Sequence, residues 1–222
     1  MKPDYWNQVM QRRILAQQRF EELSGQGCRM IHYTEFSCSV VESLDPTIII
    51  FSGYNTNNNY YERAHLDPIR AYFLAPLCPT FTICGSFQLM AEAYGAEIGP
   101  IGKRLAETNV SVDPILPGDA LSESGFCKVQ VSSSSKGLFY QLGPEITVHQ
   151  HHYWEVKSIP AGFLERGSSP LCKIQALEHQ SLPLAGVQFH PEDFNTAHPD
   201  GEKLLQAFFQ WANRFDKRAI QA

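Results

Sequence analysis

The sequence has no excess of positive charge and no long apolar run. Its 18 Lys and Arg residues are fewer than its 23 Asp and Glu residues, and the formal net charge is -5. Proteins that bind nucleic acids usually present a basic face. No window of about 18 unbroken apolar residues is present, as a membrane-spanning helix would need, and residues 1–6 have no apolar signal core. We therefore expect no nucleic-acid partner, no membrane partner and no secretory signal.

Paired cysteines are also absent. The sequence contains six scattered cysteines and no C-x-x-C pair. Without a secretory signal, such cysteines are expected to be reduced thiols, which predicts a cytoplasmic location. The 222 residues, 43% of them hydrophobic, are enough for one sizeable core. We expect a single domain over residues 1–222, in which residues 1–27 form an N-terminal helical segment.

Buried strands alternate with helices along much of the chain. Continuous apolar runs predict strands buried on both faces at 47–51, 79–84 and 184–189. Helices are expected at 4–23, 65–74, 88–94 and 201–215, a further strand at 28–36, and short antiparallel strands between 102 and 185. The pattern predicts an α/β fold with a doubly wound, mostly parallel open sheet and flanking helices, of the flavodoxin-like type, plus a small antiparallel subsheet.

The first predicted helix has apolar residues at Met10, Ile14, Leu15 and Phe20. These positions fall roughly on one helical face, which we expect to pack against the rest of the domain.

Three chain segments bring polar groups to one edge of the predicted sheet. Gly53, Cys84 and His190 each follow directly on a strand. Ligands of doubly wound sheets bind at the carboxyl ends of the strands. The edge that carries these three residues is therefore the expected functional site.

Cys84 stands at a strand-to-helix turn, which presents a side chain at the sheet edge near a helix N-terminus. His190 is followed two positions later by Glu192, and in an extended segment these side chains would point to the same side. Thiol, imidazole and carboxylate are the groups that an activated cysteine nucleophile needs. The alternatives are a buried structural cysteine and an ordinary surface pair of histidine and acid.

Two glycines can supply backbone donors to this site. The amide after a nucleophile, here that of Gly85, commonly forms half of an oxyanion hole. Gly53 can turn its amide inward at little steric cost, although an ordinary turn glycine is the alternative.

The run His149-Gln150-His151-His152 suggests a metal site at first sight. Adjacent residues of a strand face opposite sides, so at most two of these histidines can share an ion, and no acid or cysteine stands nearby at ligand spacing. We expect no metal, and interpret these histidines as part of a pocket wall or core.

These segments together resemble the class I, or triad, glutamine amidotransferase family. The resemblance covers roughly residues 47–209, and its terminal motif, 186–192, is highly specific. Supporting matches are Cys84 with Gln88 four positions on, and segments 148–156, 159–163 and 174–179.

The resemblance implies that Cys84 is the nucleophile, His190 its base and Glu192 the residue that orients the base. It implies that Gly53 and Gly85 donate to the oxyanion. It places Gln88 and the backbone near His151 beside the glutamine substrate, and His152 near that pocket in a structural role.

The chain departs from the family pattern at the cysteine motif. The family usually has glycine two positions before and two positions after the cysteine, where this chain has Thr82 and Ser86. His151 stands where serine is common, and a helix precedes the first strand of the sheet.

The resulting hypothesis is hydrolysis of the L-glutamine side-chain amide through a γ-glutamyl thioester on Cys84, without a cofactor. The length leaves no room for a second catalytic domain, so the ammonia would pass to a separate synthetase or acceptor-activating subunit. One alternative is a γ-glutamyl hydrolase or peptidase that acts on γ-glutamyl conjugates. The other is a non-catalytic binding subunit of the same fold.

Overall fold

A computed structural model describes residues 3–54, 56–102, 121–132 and 137–215, with side chains from residue 7 onward. Its helices are α1 (Pro3–Ser24), α2 (Cys38–Leu44), α3 (Arg63–Leu74), α4 (Gly85–Ala93) and α5 (Asp200–Ala212). Its strands are β1 (Ile49–Phe51), β2 (Thr80–Ile83), β3 (Ile98–Pro100), β4 (Glu123–Val131), β5 (Glu145–His152), β6 (Trp154–Val156), β7 (Phe163–Ser168), β8 (Ala176–His179) and β9 (Leu184–Val187). None of the described helices has the length and apolar character that crossing a membrane requires.

The main sheet has seven strands in the order β1-β2-β9-β8-β7-β4-β5, and β3 pairs with β6 in a separate antiparallel sheet. This architecture confirms the predicted α/β fold with flanking helices and a small subsheet. The parallel part of the main sheet is smaller than expected, because only β1, β2 and β9 pair in parallel. The hairpins predicted for 102–185 extend this parallel part as antiparallel strands, since β8 pairs directly with β9.

Helices cover both faces of the sheet, as in a doubly wound fold. On one face, α1 and α5 enclose a core with Phe20, Phe81 and Phe208, and the rings of Phe81 and Phe208 lie 4.7 Å apart. On the other face, α3 and α4 enclose a core that includes Phe73 and Met90. The two cores fix β2 and β9 in the middle of the sheet, where the chain segments of the candidate site begin.

Helix α1 does not bury the face that its apolar residues predict. Phe20 is buried, but Ile14 and Leu15 are 48% and 43% exposed. Ala16 and Leu23 pack with Phe20 instead. The spacing of these three residues defines an inward face from which Ile14 and Leu15 are rotated away.

The predicted strand at 28–36 is wrong. These residues form no strand, and only Tyr33–Glu35 make a short 3₁₀ turn. Phe36 packs its ring against Phe51 and Tyr72, at 5.2 and 5.4 Å. The segment therefore covers β1 with side chains and leaves β1 at the sheet edge, which explains why Ile49–Phe51 are half-buried and not buried on both faces.

Candidate active site

Cys84 lies at a sharp turn between β2 and α4. Its backbone has φ 52° and ψ -111°, a region that residues with a side chain rarely adopt and that costs conformational energy. The turn is held on both sides, because Cys84 N–H donates to Val187 O at 2.8 Å and its carbonyl accepts from Gln88 N–H at 3.0 Å. Strain of this kind at a strand-to-helix turn is typical of a nucleophile elbow.

The two departures from the family motif have clear structural accommodations. Ser86 Oγ accepts from Ile83 N–H at 2.9 Å and donates to Phe51 O at 2.6 Å, which ties the elbow to β1. Thr82 lies opposite Gly186 in the β2–β9 pair. A Cβ atom at that glycine would collide with Thr82 Oγ1, so Gly186 provides the space that threonine needs.

His190 and Glu192 form a buried pair, with Nδ1 and Oε1 2.9 Å apart. The segment between them is not extended as predicted, because Pro191–Asp193 form a 3₁₀ turn with proline at its start. The fixed φ of proline suits a first helical position. His190 N–H donates to His149 O at 2.8 Å, which joins this turn to the end of β5.

The structure brings Cys84, His190 and Gly53 to one place. Because Ile83 pairs in parallel with Val187, the chain leaves β2 and β9 at the same sheet edge. A Cβ atom at Gly53 would lie 2.7 Å from His190 Cε1 and 3.0 Å from Cys84 Cβ. The remaining ring nitrogen of His190, Nε2, is buried and makes no hydrogen bond to any described residue. It is therefore available for proton exchange at this junction.

The environment of His190 favours its charged form. Burial acts to lower the pKa of His190, but the charge of Glu192, with smaller contributions from the Cys84 side chain, raises it well above the usual range. Burial lowers the pKa of the neighbouring His149 and His151, and the charge of His190 lowers both further. His190 is thus the histidine of this cluster that is best suited to hold a proton.

Gly85 lies beneath the loop that follows β1. A Cβ atom at Gly85 would lie 2.7 Å from ring atoms and the carbonyl of Tyr54. As the first residue of α4, Gly85 has an N–H group without an intrahelical acceptor. The N–H group of Gly85 and the close approach of Gly53 agree with the two donors expected from the sequence.

A cleft opens beside Cys84. Its lining residues are Tyr54, Thr56, Asn57, Cys84, Gln88, His151, His152, Tyr153 and Trp154. All three residues expected near the substrate are therefore present. Gln88 Nε2 donates to Trp154 O at 2.9 Å and to Gln188 Oε1 at 3.0 Å, and His151 O lies 4.0 Å from Cys84 Sγ.

Gln188 is a site residue that the sequence reasoning missed. Its side chain is fully buried, and its Nε2 lies 3.7 Å from Cys84 Sγ while its Oε1 accepts from Gln88. The signal was present, because Gln188 lies within the terminal motif at the end of a buried strand. It links the nucleophile to the cleft wall.

His152 has the structural position that the resemblance implies. It is 4% exposed, its Nδ1 lies 2.9 Å from Trp154 O and its Nε2 3.0 Å from Glu123 Oε2. The alternation of burial along β5 places His149 and His151 on the opposite side, as the strand geometry predicted.

A second group of the same residue types, Glu123, His152 and Cys172, has ligand atoms within 4.8 Å of one another. The group is poorly suited to a metal ion because its atoms are already engaged. Both ring nitrogens of His152 have partners, and the two carboxylate oxygens of Glu123 accept from Ser169 and Gln175. We interpret this group as a hydrogen-bonded core network.

An open α/β sheet whose edge presents a thiol, an imidazole and a carboxylate is the arrangement of an amide hydrolase with a cysteine nucleophile. The family model for class-I glutamine amidotransferases matches residues 18–211. The chain therefore belongs to the class-I glutamine amidotransferase family.

Relatives with assigned names include two archaeal proteins, both glutamine-hydrolysing subunits of GMP synthase. The protein from Methanosarcina acetivorans is 33% identical over 62% of this chain and 61% of that protein. The protein from Methanosarcina mazei is 30% identical over 84% of this chain and 91% of that protein. The chain thus spans less than two thirds of the first relative and most of the second.

A solved structure has the same fold. It is a crystal structure from Thermoplasma acidophilum, assigned as a GMP synthase subunit, which superposes with a TM-score of 0.71. The two sequences are 24% identical, and the match covers 93% of this chain and 90% of that one.

Proposed function

We propose that this protein hydrolyses the side-chain amide of L-glutamine and delivers the ammonia to a separate synthetase chain. The observation that carries the proposal is the junction of Cys84, His190 and Gly53, where chain segments far apart in sequence meet at one sheet edge. Membership of the amidotransferase family supports the same reaction.

In the proposed first step, Cys84 Sγ attacks the amide carbon of glutamine while His190 Nε2 takes the thiol proton. The developing oxyanion accepts hydrogen bonds from the N–H groups of Gly53 and Gly85, each of which contributes roughly 3–4 kcal/mol to the transition state. His190 then gives the proton to the departing nitrogen. The products are ammonia and a γ-glutamyl thioester on Cys84.

In the second step, water attacks the thioester and His190 accepts a proton from that water. The proton returns to the sulfur as glutamate leaves, which restores the thiol. Glu192 keeps Nδ1 of His190 in place as a donor, so that Nε2 exchanges the proton in both steps.

The cleft residues hold the amino-acid end of the substrate in this proposal. Because the amide nitrogen of Gln88 already donates to Trp154 and Gln188, its Oε1 faces the substrate's α-ammonium group. The backbone near His151 contributes further contacts, and His152 supports the wall through Trp154 O.

The partner would be the chain that activates the acceptor of ammonia. Relatives of this chain are named as subunits of GMP synthase, so the synthetase component of such an enzyme is the first candidate to test. We also propose a cytoplasmic location, which the six free cysteines support.

The test combines activity with covalent labelling. Release of glutamate and ammonia from glutamine is measured with and without the candidate synthetase, beside turnover of γ-glutamyl-p-nitroanilide. We expect glutamine to be the better substrate and 6-diazo-5-oxo-norleucine to add to Cys84, with Cys84→Ser abolishing both. Preference for the anilide would instead indicate a γ-glutamyl hydrolase, and no adduct under either condition would indicate a binding subunit.

A further inference from the structure

Helix α1 carries an arginine that reaches the loop after β1. Arg13 Nη1 donates to Ser52 Oγ at 2.7 Å. Ser52 directly precedes Gly53, whose backbone lies against both Cys84 and His190. Arg13 thus contacts the oxyanion loop, defined here as residues 52–54. It lies outside the range 18–211 that the family model matches.

A second arginine of α1 reaches the turn that holds Glu192. Arg19 donates through Nη1 to Glu192 O and through Nη2 to Phe194 O, the latter at 2.9 Å. Its guanidinium group also lies 4.2 Å from the centre of the Phe194 ring. A planar guanidinium can satisfy two acceptors and stack on an aromatic ring at once, which a lysine cannot do. Arg19 therefore fixes the backbone of the turn between His190 and Phe194.

The two contacts belong to one rigid element. Six residues of helix separate the arginines by about 9 Å along the axis. The helix is seated by Phe20, which is 8% exposed in the core shared with α5. A helix anchored in this way holds the oxyanion loop and the Glu192 turn at a fixed separation.

We propose that α1 acts as a spacer between the two halves of the candidate active site, with Arg13 and Arg19 as positioning residues. This inference rests on the proposed function. Neither arginine is placed in contact with the reacting atoms. Arg13 holds the Gly53 donor toward the oxyanion, and Arg19 holds Glu192 and thereby the ring of His190. Displacements of about 1 Å at such sites can lower rates on the order of 10²-fold.

The first test measures kcat and KM of glutamine hydrolysis for Arg19→Ala, Arg19→Lys and the exposed control Gln18→Ala in the complete protein. We expect Arg19→Ala to lower kcat by at least about tenfold with a smaller change in KM. Arg19→Lys should recover only part of the loss because it cannot bind both carbonyls, and Gln18→Ala should match the wild type. Equal kcat values for all variants, or an equal loss in the control, would overturn the proposal.

The second test uses the Arg13–Ser52 pair, whose exposed position makes misfolding of the variants a minor concern. Arg13→Ala and Ser52→Ala remove the same hydrogen bond from its two ends. We expect equal reductions in kcat and no further reduction in the double variant, as for two residues that act as a unit. Fully additive losses, or none, would show that the bond does not position the loop.

A third measurement separates this inference from the reaction itself. The rate at which iodoacetamide alkylates Cys84 is followed against pH, which requires no glutamine. Arg19→Ala should shift the midpoint of this profile, because it loosens Glu192 from His190, whereas Gln18→Ala should not. If the wild type lacks glutaminase activity, the proposed function fails, and this shift alone decides whether Arg19 positions the triad.

Discussion

Nδ1 of His190 lies 2.9 Å from Oε1 of Glu192, although only Pro191 separates the two residues. The 3₁₀ turn that begins at Pro191 curls the carboxylate back toward the ring. The second carboxylate oxygen, Oε2, is buried without a hydrogen-bond partner among the described residues. Glu192 therefore directs its charge to His190 and to little else.

Replacing Glu192 with Gln should lower both the pKa of His190 and the rate of hydrolysis. The carboxylate is the main group that raises this pKa against burial. We expect kcat to fall by about 10² to 10⁴-fold, as when the orienting acid of a triad is made neutral. Ring-proton NMR of His190 against pH checks the pKa. Asp193→Asn, which alters the neighbouring ion pair with His149, should leave the His190 titration near that of the wild type.

The same pair predicts how stability depends on pH. Because the folded-state pKa of His190 is raised above its unfolded value of about 6.5, the stabilisation is fully present below that unfolded value. It is lost as the pH rises through the folded-state pKa. The free energy of unfolding in urea should therefore differ most between wild type and Glu192→Gln at the acid end of this window. A difference that grows toward alkaline pH would contradict this assignment.

Substitution of Gly53 by Ala should abolish activity while the fold persists. The new methyl group would lie 2.7 Å from His190 Cε1, closer than packed atoms allow, so the imidazole must move away from Cys84. Gly27→Ala is the matched control, because a Cβ atom there meets nothing within 4 Å. Loss of glutamine hydrolysis with an unchanged circular dichroism spectrum is the expected result for Gly53→Ala, and wild-type activity would show that the site tolerates the displaced ring.

Ser86→Ala should destabilise the protein by about 1–3 kcal/mol, since it leaves the buried Ile83 N–H without an acceptor. Urea unfolding measures this change. Ser86→Gly, which installs the usual family residue, should be no more stable, because the serine hydroxyl bridges Ile83 and Phe51 here. The exposed helix residue Ser43 serves as the control, and Ser43→Ala should change stability far less. A more stable Ser86→Gly variant would mean that the bridge does not hold the elbow.

The buried pair of Arg166 and Glu178 should be important for stability. The atoms Nε and Oε2 are 3.0 Å apart, and Glu178 Oε1 also accepts from Leu138 N–H. Removing one member of such a pair leaves an uncompensated buried charge, so Glu178→Ala should cost about 3–5 kcal/mol in urea unfolding. Lys128→Ala, which breaks the exposed pair with Glu145, should have little effect. Equal small losses would show that Arg166 tolerates burial without its partner.

Much of the candidate site was predictable because its residues follow strands whose apolar runs are unbroken. The run before Cys84 and the run before His190 both predict central strands, and their ends therefore meet at one edge. Partners that depend on packing were not predictable. The inward arginines of α1 were missed because Ile14 and Leu15 suggested a different buried face, and nothing local distinguishes Arg13 or Arg19 from solvent-exposed arginines.

The topology of the sheet shows a similar division. Alternation of polar and apolar residues predicted antiparallel strands between 102 and 185, and the described part of that segment contains them. It did not reveal that β8 joins the edge of β9, because local periodicity carries no information on which strands pair. The strand predicted at 28–36 does not form, since the aromatic residues of that segment cover β1 from the side. The single-domain boundaries remain a prediction.

The parallel pairing of β2 with β9 has a consequence for the newly made protein. Cys84 leaves the ribosome long before His190, so the growing polypeptide carries its sulfur without the imidazole that would arm it. Ammonia release can begin only after the last strand has inserted beside β2. Synthesis and activation are thereby coupled, and a truncated translation product should be inert toward glutamine.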